Sequence, residues 1–262
     1  MAQITHFPKV IKNGGWLIII RQKNKGKTET HLLKNIKMIK AVIFDLDGTV
    51  LNTIVTITHF VNETLQKHSI LPITETECKT FIGDGARKLI ERSLASKGVL
   101  TNDLLDKILP EYNAAYDEDP YHLTERYEGM PELLLELKES GLKLGVISNK
   151  PHPTTVSAAE HFYPNIFDAV LGGREGVPLK PSVLAAETML DKLCVKADEV
   201  IYVGDSGVDM TFGKAFGAAY TLGAGWGFRS EEELVSSGAD RFFASVASMG
   251  AYIKDIIKYG GY

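Results

Sequence analysis

VIFDLDGTVLNT, residues 42–53, sets two carboxylates two positions apart where an apolar run ends. The run AVIFD at 41–45 is rich in β-branched and aromatic side chains and reads as a buried strand. Residues at i and i+2 of a strand share a face, so Asp45 and Asp47 would repel each other there. Either the chain bends after Asp45 or a positive charge sits between the two. Gly48 permits a sharp bend, and the hydroxyl and amide of Thr49 can brace it. An ordinary turn from strand to helix accounts for this segment taken alone, so the rest of the chain has to decide.

From Met38 on, strand-like and helix-like segments alternate, the pattern of a parallel sheet covered by helices. Strands are expected at 41–45, 143–148, 168–171, 199–205 and 218–222. Helices are expected at 130–140, 151–162, 181–193 and 206–217, with Pro131 and Pro181 suited to a first helical turn. One interval breaks the rhythm. Between the first strand and the next lies a long stretch that reads as helices at 53–69, 74–81, 84–97 and 101–117. The expected architecture is an α/β, Rossmann-like parallel sheet at 38–52 and 123–262, with a small helical cap inserted after the first strand at 53–122. Ligands of open α/β sheets sit outside the carboxyl ends of the strands, so an insert rooted there would lie over the site as a lid.

Composition narrows the class. The chain has 262 residues, enough for a full core, and is 44% hydrophobic and 24% charged, as an ordinary globular protein is. No apolar run approaches the roughly 20 residues that span a bilayer; WLIII at 16–20 is far shorter. Cys78 and Cys194 stand far apart, which argues against a disulfide framework or a cysteine zinc site and favours a reducing, cytoplasmic compartment. Residues 1–37 hold eight Lys or Arg and one Glu, +7 against a total of −4, leaving −11 on 38–262. These basic residues are neither clustered nor on one amphipathic face. The stretch is expected to be a poorly packed extension upstream of a natural start at Met38, with neither nucleic acid nor membrane as partner.

More polar stations fall at strand ends or adjoining loops. Ser148 and Asn149 end the second strand, Lys180 follows the loop GGREGVP, and Asp205 and Asp209 lie in GDSGVDM. One sheet edge would thus gather Asp45, Asp47, Asp205 and Asp209 around a lysine and a hydroxyl. Four carboxylates without a cation would repel one another by several kcal/mol, which calls for a hard divalent metal. Oxygen ligands with a lysine beside them point to Mg²⁺ and a phosphate rather than to zinc.

DLDGT, SN, K and GDSxxD, in this order and spacing, resemble the four motifs of the haloacid dehalogenase superfamily, and the insert resembles its small type of cap. Within it, FIGDGARKLIERSL at 81–94, RYEGMPELL at 126–134 and GGREGVPLKP at 172–181 look most like phosphoglycolate phosphatases. Ser182 and Arg126 depart from that pattern, standing where an Asp and a proline are usual. The resemblance implies that Asp45 attacks phosphorus to form an aspartyl-phosphate, and that Asp47 protonates the leaving group and then activates water. A halide leaving group needs no such acid, so Asp47 argues against dehalogenation. Mg²⁺ would be held by Asp45, the carbonyl of Asp47 and Asp205, with Asp209 behind them, acting through water or by orienting Lys180. Lys180, Ser148 and Asn149 would meet the phosphoryl oxygens.

Gly48 and Thr49 would let the first loop approach the substrate, as would Gly83 and Gly85 in the cap. Arg87, at the start of a cap helix, would clamp a substrate carboxylate; the bland reading gives it a salt bridge with Asp84 instead. The expected substrate is a small-molecule phosphate ester, 2-phosphoglycolate foremost, turned over by a monomer or homodimer. A pyrophosphatase, a nucleotidase, a sugar-phosphate phosphatase or a phosphomutase remains open. A phospho-accepting signalling domain shares the acidic cluster, Mg²⁺ and lysine, but needs no large helical insert.

Overall fold

Ala41–Phe44 is the strand on which the fold is built, and all four of its residues are buried, as a central strand covered on both faces requires. In this computed structural model, which describes residues 9–13, 16–23, 27–33 and 38–259, it is the fourth strand, β4. It runs parallel to β7 (Lys143–Pro151) on one side and β9 (Val200–Gly204) on the other. β8 (Ala169–Gly173) extends the sheet beyond β7, and β10 (Tyr220–Ala224) and β11 (Arg241–Phe243) extend it beyond β9. The result is a six-stranded parallel sheet in the order β11-β10-β9-β4-β7-β8, the α/β fold that the sequence leads one to expect. β11 was not foreseen, being three residues long with no alternation to announce it.

The helices that follow Arg126 are α5 (Met130–Glu139), α6 (His152–Phe162), α7 (Leu184–Leu193), α8 (Gly207–Ala215), α9 (Glu231–Ser236) and, after the last strand, α10 (Val246–Tyr259). In α5, Met130, Leu133, Leu134 and Leu137 are buried, an i, i+3, i+4, i+7 stripe turned to the core. One side of the sheet packs Ala41 and Ile43 with Ile147, Leu171, Met189, Tyr202 and Phe212. α7 begins three residues later than Pro181 suggests. The amide of Lys180 is held by Asn149 Oδ1 at 2.8 Å and that of Ser182 by the carbonyl of Leu179, so the chain turns before it coils.

A short antiparallel pair, β5 (Leu51–Asn52) and β6 (Glu125–Arg126), brackets the insert. Between them lie α1 (Ile54–Lys67), α2 (Glu75–Phe81), α3 (Ala86–Ser96) and α4 (Asn102–Glu118). Thr74 and Glu77 form a reciprocal cap at the start of α2, and the Thr101 hydroxyl accepts from Leu104 N at the start of α4. The four helices enclose a core of their own, in which Val61, Leu65, Ile90, Leu94 and Ile108 are fully buried.

The basic stretch expected to be poorly packed carries three strands. β1 (Lys9–Asn13), β2 (Trp16–Lys23) and β3 (Lys27–Leu33) form an antiparallel sheet in that order. The β-branched run at 18–20 and the threonines at 28 and 30 favour extended backbone over an aperiodic coil. The chain divides into two compact units, one of 1–38 with 253–262 and the other Ile39–Tyr252. Among the described residues, no helix is long and apolar enough to cross a membrane.

Because the insert has its own core, Ile90→Ala should cost about 2–5 kcal/mol there. Hydrogen exchange should then show α1, α3 and α4 losing protection before β4, β7 and β9. Equal loss of protection in the sheet would show that the insert does not hold itself together.

Candidate active site

The bend that the two carboxylates demand lies directly after β4. The amide of Asp45 still pairs with the carbonyl of Val203 at 2.9 Å, after which the Leu46 carbonyl receives the amides of Thr49, Val50 and Leu51 and closes a turn. Gly48 sits in that turn at φ +81°, and a Cβ there would fall 2.1 Å from Asp205 Oδ2. Only glycine permits both the backbone angle and the approach. The turn sends the two carboxylates to different cations, Asp45 to Lys180 and Asp47 to Lys150.

Lys180 is the hub. Its buried ammonium donates to Asp45 Oδ1 at 2.8 Å, Asp209 Oδ1 at 2.7 Å, the Ile147 carbonyl at 3.0 Å and the Tyr202 hydroxyl at 3.2 Å. Burial alone would lower its pKa, but the carboxylates of Asp209 and Asp45 outweigh that and hold it charged. Asp209 is saturated: Oδ1 also accepts from Tyr202, and Oδ2 accepts from the amide and hydroxyl of Ser206. The same Ser206–Asp209 exchange caps α8, so one short motif starts the helix and aims the lysine.

Asp45 is pushed up to about 7, chiefly by burial, with the charges of Asp209 and Asp47 adding to it and Lys180 opposing. Asp205 is raised well above the usual carboxylate range by burial and by the charges of Asp209 and Asp45. The site is short of positive charge. Ligating oxygens of Asp45, Asp205 and Asp209 lie within 4.8 Å of one another. With Asp209 fully bonded and Asp205 Oδ2 taken by the Phe228 amide at 2.8 Å, the oxygens left for a cation belong to Asp45 and Asp205. An all-oxygen donor set in need of charge fits Mg²⁺. The carboxylate of Asp47 is outside this trio, and the sequence reading engages only its carbonyl.

Asp47 belongs to a second pair. Lys150 Nζ lies 3.3 Å from Asp47 Oδ1, donates to the Tyr116 hydroxyl at 2.7 Å, and stands over the Tyr116 ring. Tyr116 is on α4 of the insert, so this contact ties the acid–base candidate to the lid. Neither residue was singled out from sequence, although Lys150 directly follows the Ser148–Asn149 pair.

These groups line a cavity of about 210 Å³ between the sheet edge and the insert. Five carboxylates face it (Asp45, Asp47, Asp117, Asp205, Asp209) against three cations (Lys150, Lys180, Arg229), a formal deficit of two charges. Ile57, Ile82, Leu89 and Phe228 supply apolar wall. Ser148, Gly83 and Gly85 also line it.

Four sequence expectations need correction. Asn149 lines the cavity, but its side-chain amide is spent on the carbonyls of Gly83 at 2.8 Å and Lys180 at 3.3 Å. Its side chain fastens the insert and the lysine loop, so the donor it could offer a phosphate is its backbone amide. Gly48 and Thr49 shape the turn and are not on the cavity wall; the Thr49 carbonyl receives Trp226 Nε1 at 3.0 Å. Arg87 points away, pairing with Asp106 at 2.9 Å with both side chains more than half exposed. Asp84 pairs with Arg92 instead of Arg87. The arginine on the cavity wall is Arg229, which follows β10 in a loop without a recognisable motif.

Comparison with known proteins agrees with this geometry. Residues 42–222 match the family model described as haloacid dehalogenase-like hydrolase. The chain is 34% identical to the phosphoglycolate phosphatase of Rhodospirillum rubrum over 82% of its length and 91% of the relative's. It is 31% identical to that of Haemophilus influenzae, over 80% and 96% respectively. Among solved structures, a predicted phosphatase from Clostridium acetobutylicum superposes with a TM-score of 0.73 at 25% identity, covering 83% of this chain and 99% of that one. With the motifs gathered at one sheet edge and matched along most of its length, the chain belongs to the haloacid dehalogenase-like hydrolases.

Proposed function

We propose that the protein is a Mg²⁺-dependent phosphatase that hydrolyses a small phosphate monoester through an aspartyl-phosphate on Asp45. The observation that carries this is Asp45 itself. It is a buried carboxylate at the end of the central strand, held by Lys180 on one oxygen and lining the cavity. An oxygen of Asp45 attacks phosphorus as the bond to the leaving oxygen breaks, and Asp47 supplies the proton that oxygen needs. Water then attacks phosphorus, Asp47 takes its proton, and inorganic phosphate leaves with the Asp45 carboxylate restored. Lys180 offsets charge on Asp45 and the phosphoryl oxygens, and the Ser148 hydroxyl is placed to donate to them. Lys150 and Tyr116 fix the direction of the Asp47 carboxyl. Asp45 and Asp205, with the carbonyl of Asp47, would hold Mg²⁺, which neutralises charge on the transferring group.

For the substrate, 2-phosphoglycolate is the reading best supported. The relatives of 34% and 31% identity carry the name phosphoglycolate phosphatase, and a cavity of about 210 Å³ suits a molecule of a few heavy atoms.

Replacing Asp45 by Asn should lower turnover at least about a thousandfold, as loss of a nucleophile does. Excess chelator should abolish phosphate release, and added Mg²⁺ should restore it. Asp47→Asn should slow steady-state release while leaving a burst of phosphorylated protein with a good leaving group such as p-nitrophenolate. Phosphate release by Asp45→Asn at an undiminished rate, or full activity in chelator, would refute the mechanism.

A further inference from the structure

Three cations line the cavity, and two of them are spent. Lys180 is committed to Asp45 and Asp209, and Lys150 to Asp47 and the Tyr116 hydroxyl. Arg229 differs. Its Nη2 donates to the carbonyl of Ile82 at 2.7 Å, and its Nε lies 3.3 Å from Glu233. Its Nη1 is buried and meets no hydrogen-bond partner. The side chain is 15% exposed and that of Glu233 42%, and the Glu233 oxygen that faces Arg229 also accepts from the Gly207 amide at 3.1 Å, so its charge is shared and partly screened by solvent. A buried guanidinium nitrogen left unpaired is costly, and this one belongs to a side chain that lines the cavity, one small turn of the guanidinium from a ligand there.

Its place in the chain gives that use a direction. The preceding residue, Phe228, donates its amide to Asp205 Oδ2 at 2.8 Å, so the loop is fastened to the acidic cluster. The guanidinium then reaches Ile82, at the start of the insert loop whose glycines line the cavity. Arg229 therefore bridges from beside the phosphate position to the lid.

We infer that Arg229 is the specificity-determining residue of this site, and that its Nη1 receives a carboxylate carried beside the phosphate of a small monoester. The assignment rests on the phosphatase reading above and deepens it. One nitrogen suits a carboxylate better than a second phosphate, whose larger charge would call for more donors than this wall holds. The apolar surface of Ile57, Leu89 and Phe228 offers no competing partner to such a group.

The test compares 2-phosphoglycolate with ethyl phosphate, which lacks the carboxylate. It runs in parallel with Mg²⁺-dependent binding of 3-phosphonopropionate and propylphosphonate by calorimetry. The variants are Arg229→Met and Arg229→Lys, with thermal melts to confirm the fold. Arg229→Met should lower kcat/KM for 2-phosphoglycolate at least about 30-fold more than for ethyl phosphate, the scale of losing a buried charged contact. It should also erase the preference for 3-phosphonopropionate, and Arg229→Lys should fall between. Equal losses on both esters would make Arg229 a strap between loop and lid and overturn the assignment. Equal binding of the two phosphonates by the unaltered protein would overturn it without recourse to any variant. Absence of phosphate release from either ester, with selective phosphonate binding lost in Arg229→Met, would refute the phosphatase reading while upholding Arg229 as the carboxylate reader.

Discussion

A single buried ammonium organises this site. Lys180 reaches the end of the central strand through Asp45, the neighbouring strand through Ile147, and the start of α8 through Asp209. Breaking a buried pair of this kind by removing one partner typically costs 3–5 kcal/mol, because the remaining charge is left without water. That penalty fixes positions as well as charges. Asn149 clamps the Lys180 backbone, Ser206 and Tyr202 clamp Asp209, and the Gly48 turn lies against Asp205. The Asp45 carboxylate, the proposed nucleophile, is thus held before any ligand arrives, which is where electrostatic catalysis gains most.

The same constraint explains the division of labour between sheet and insert. The sheet edge carries the charged chemistry, and the insert contributes the roof: Ile57, Gly83, Gly85, Leu89 and Tyr116. Four polar contacts join the two across the cavity, from Asn149 to Gly83, from Arg229 to Ile82, from Lys150 to Tyr116 and from Thr154 to Asp117. Each involves a residue lining the site, so the position of the roof and the order of the site are linked. The buried core of the insert holds that roof together as one piece.

Much of this was legible in the sequence, for identifiable reasons. Strand ends are where parallel sheets place ligands, so Asp45, Ser148, Lys180 and Asp205 could be gathered from order and spacing alone. The insert was legible because α1, α3 and α4 have apolar periodicity and α2 and α4 begin on capping threonines. The cavity wall was harder to read. Arg87 looked suited to an anion because it opens a helix after two glycines, but a helix N-terminus says nothing about which way a long side chain leaves it, and Asp106 claimed this one. Arg229 and Lys150 carry no local signal, since their role arises from contacts 147 and 103 residues away in sequence. The N-terminal strands were masked by basic composition, which describes charge and not backbone preference.

The proposed mechanism needs a divalent cation to complete the acidic cluster. Asp45 is raised from 3.8 to about 7 in the folded protein, and Asp205 is raised as well. A carboxyl with a raised folded pKa binds more protons folded than unfolded, so its contribution is full below the unfolded pKa and lost as pH rises through the folded one. Thermal melts from pH 5 to 9, with and without Mg²⁺, read this directly. The account predicts that metal-free stability falls as pH rises toward and past about 7, that Mg²⁺ restores it increasingly over that window, and that Asp205→Asn weakens the restoration. A melting temperature at pH 8 that is indifferent to Mg²⁺ would contradict it.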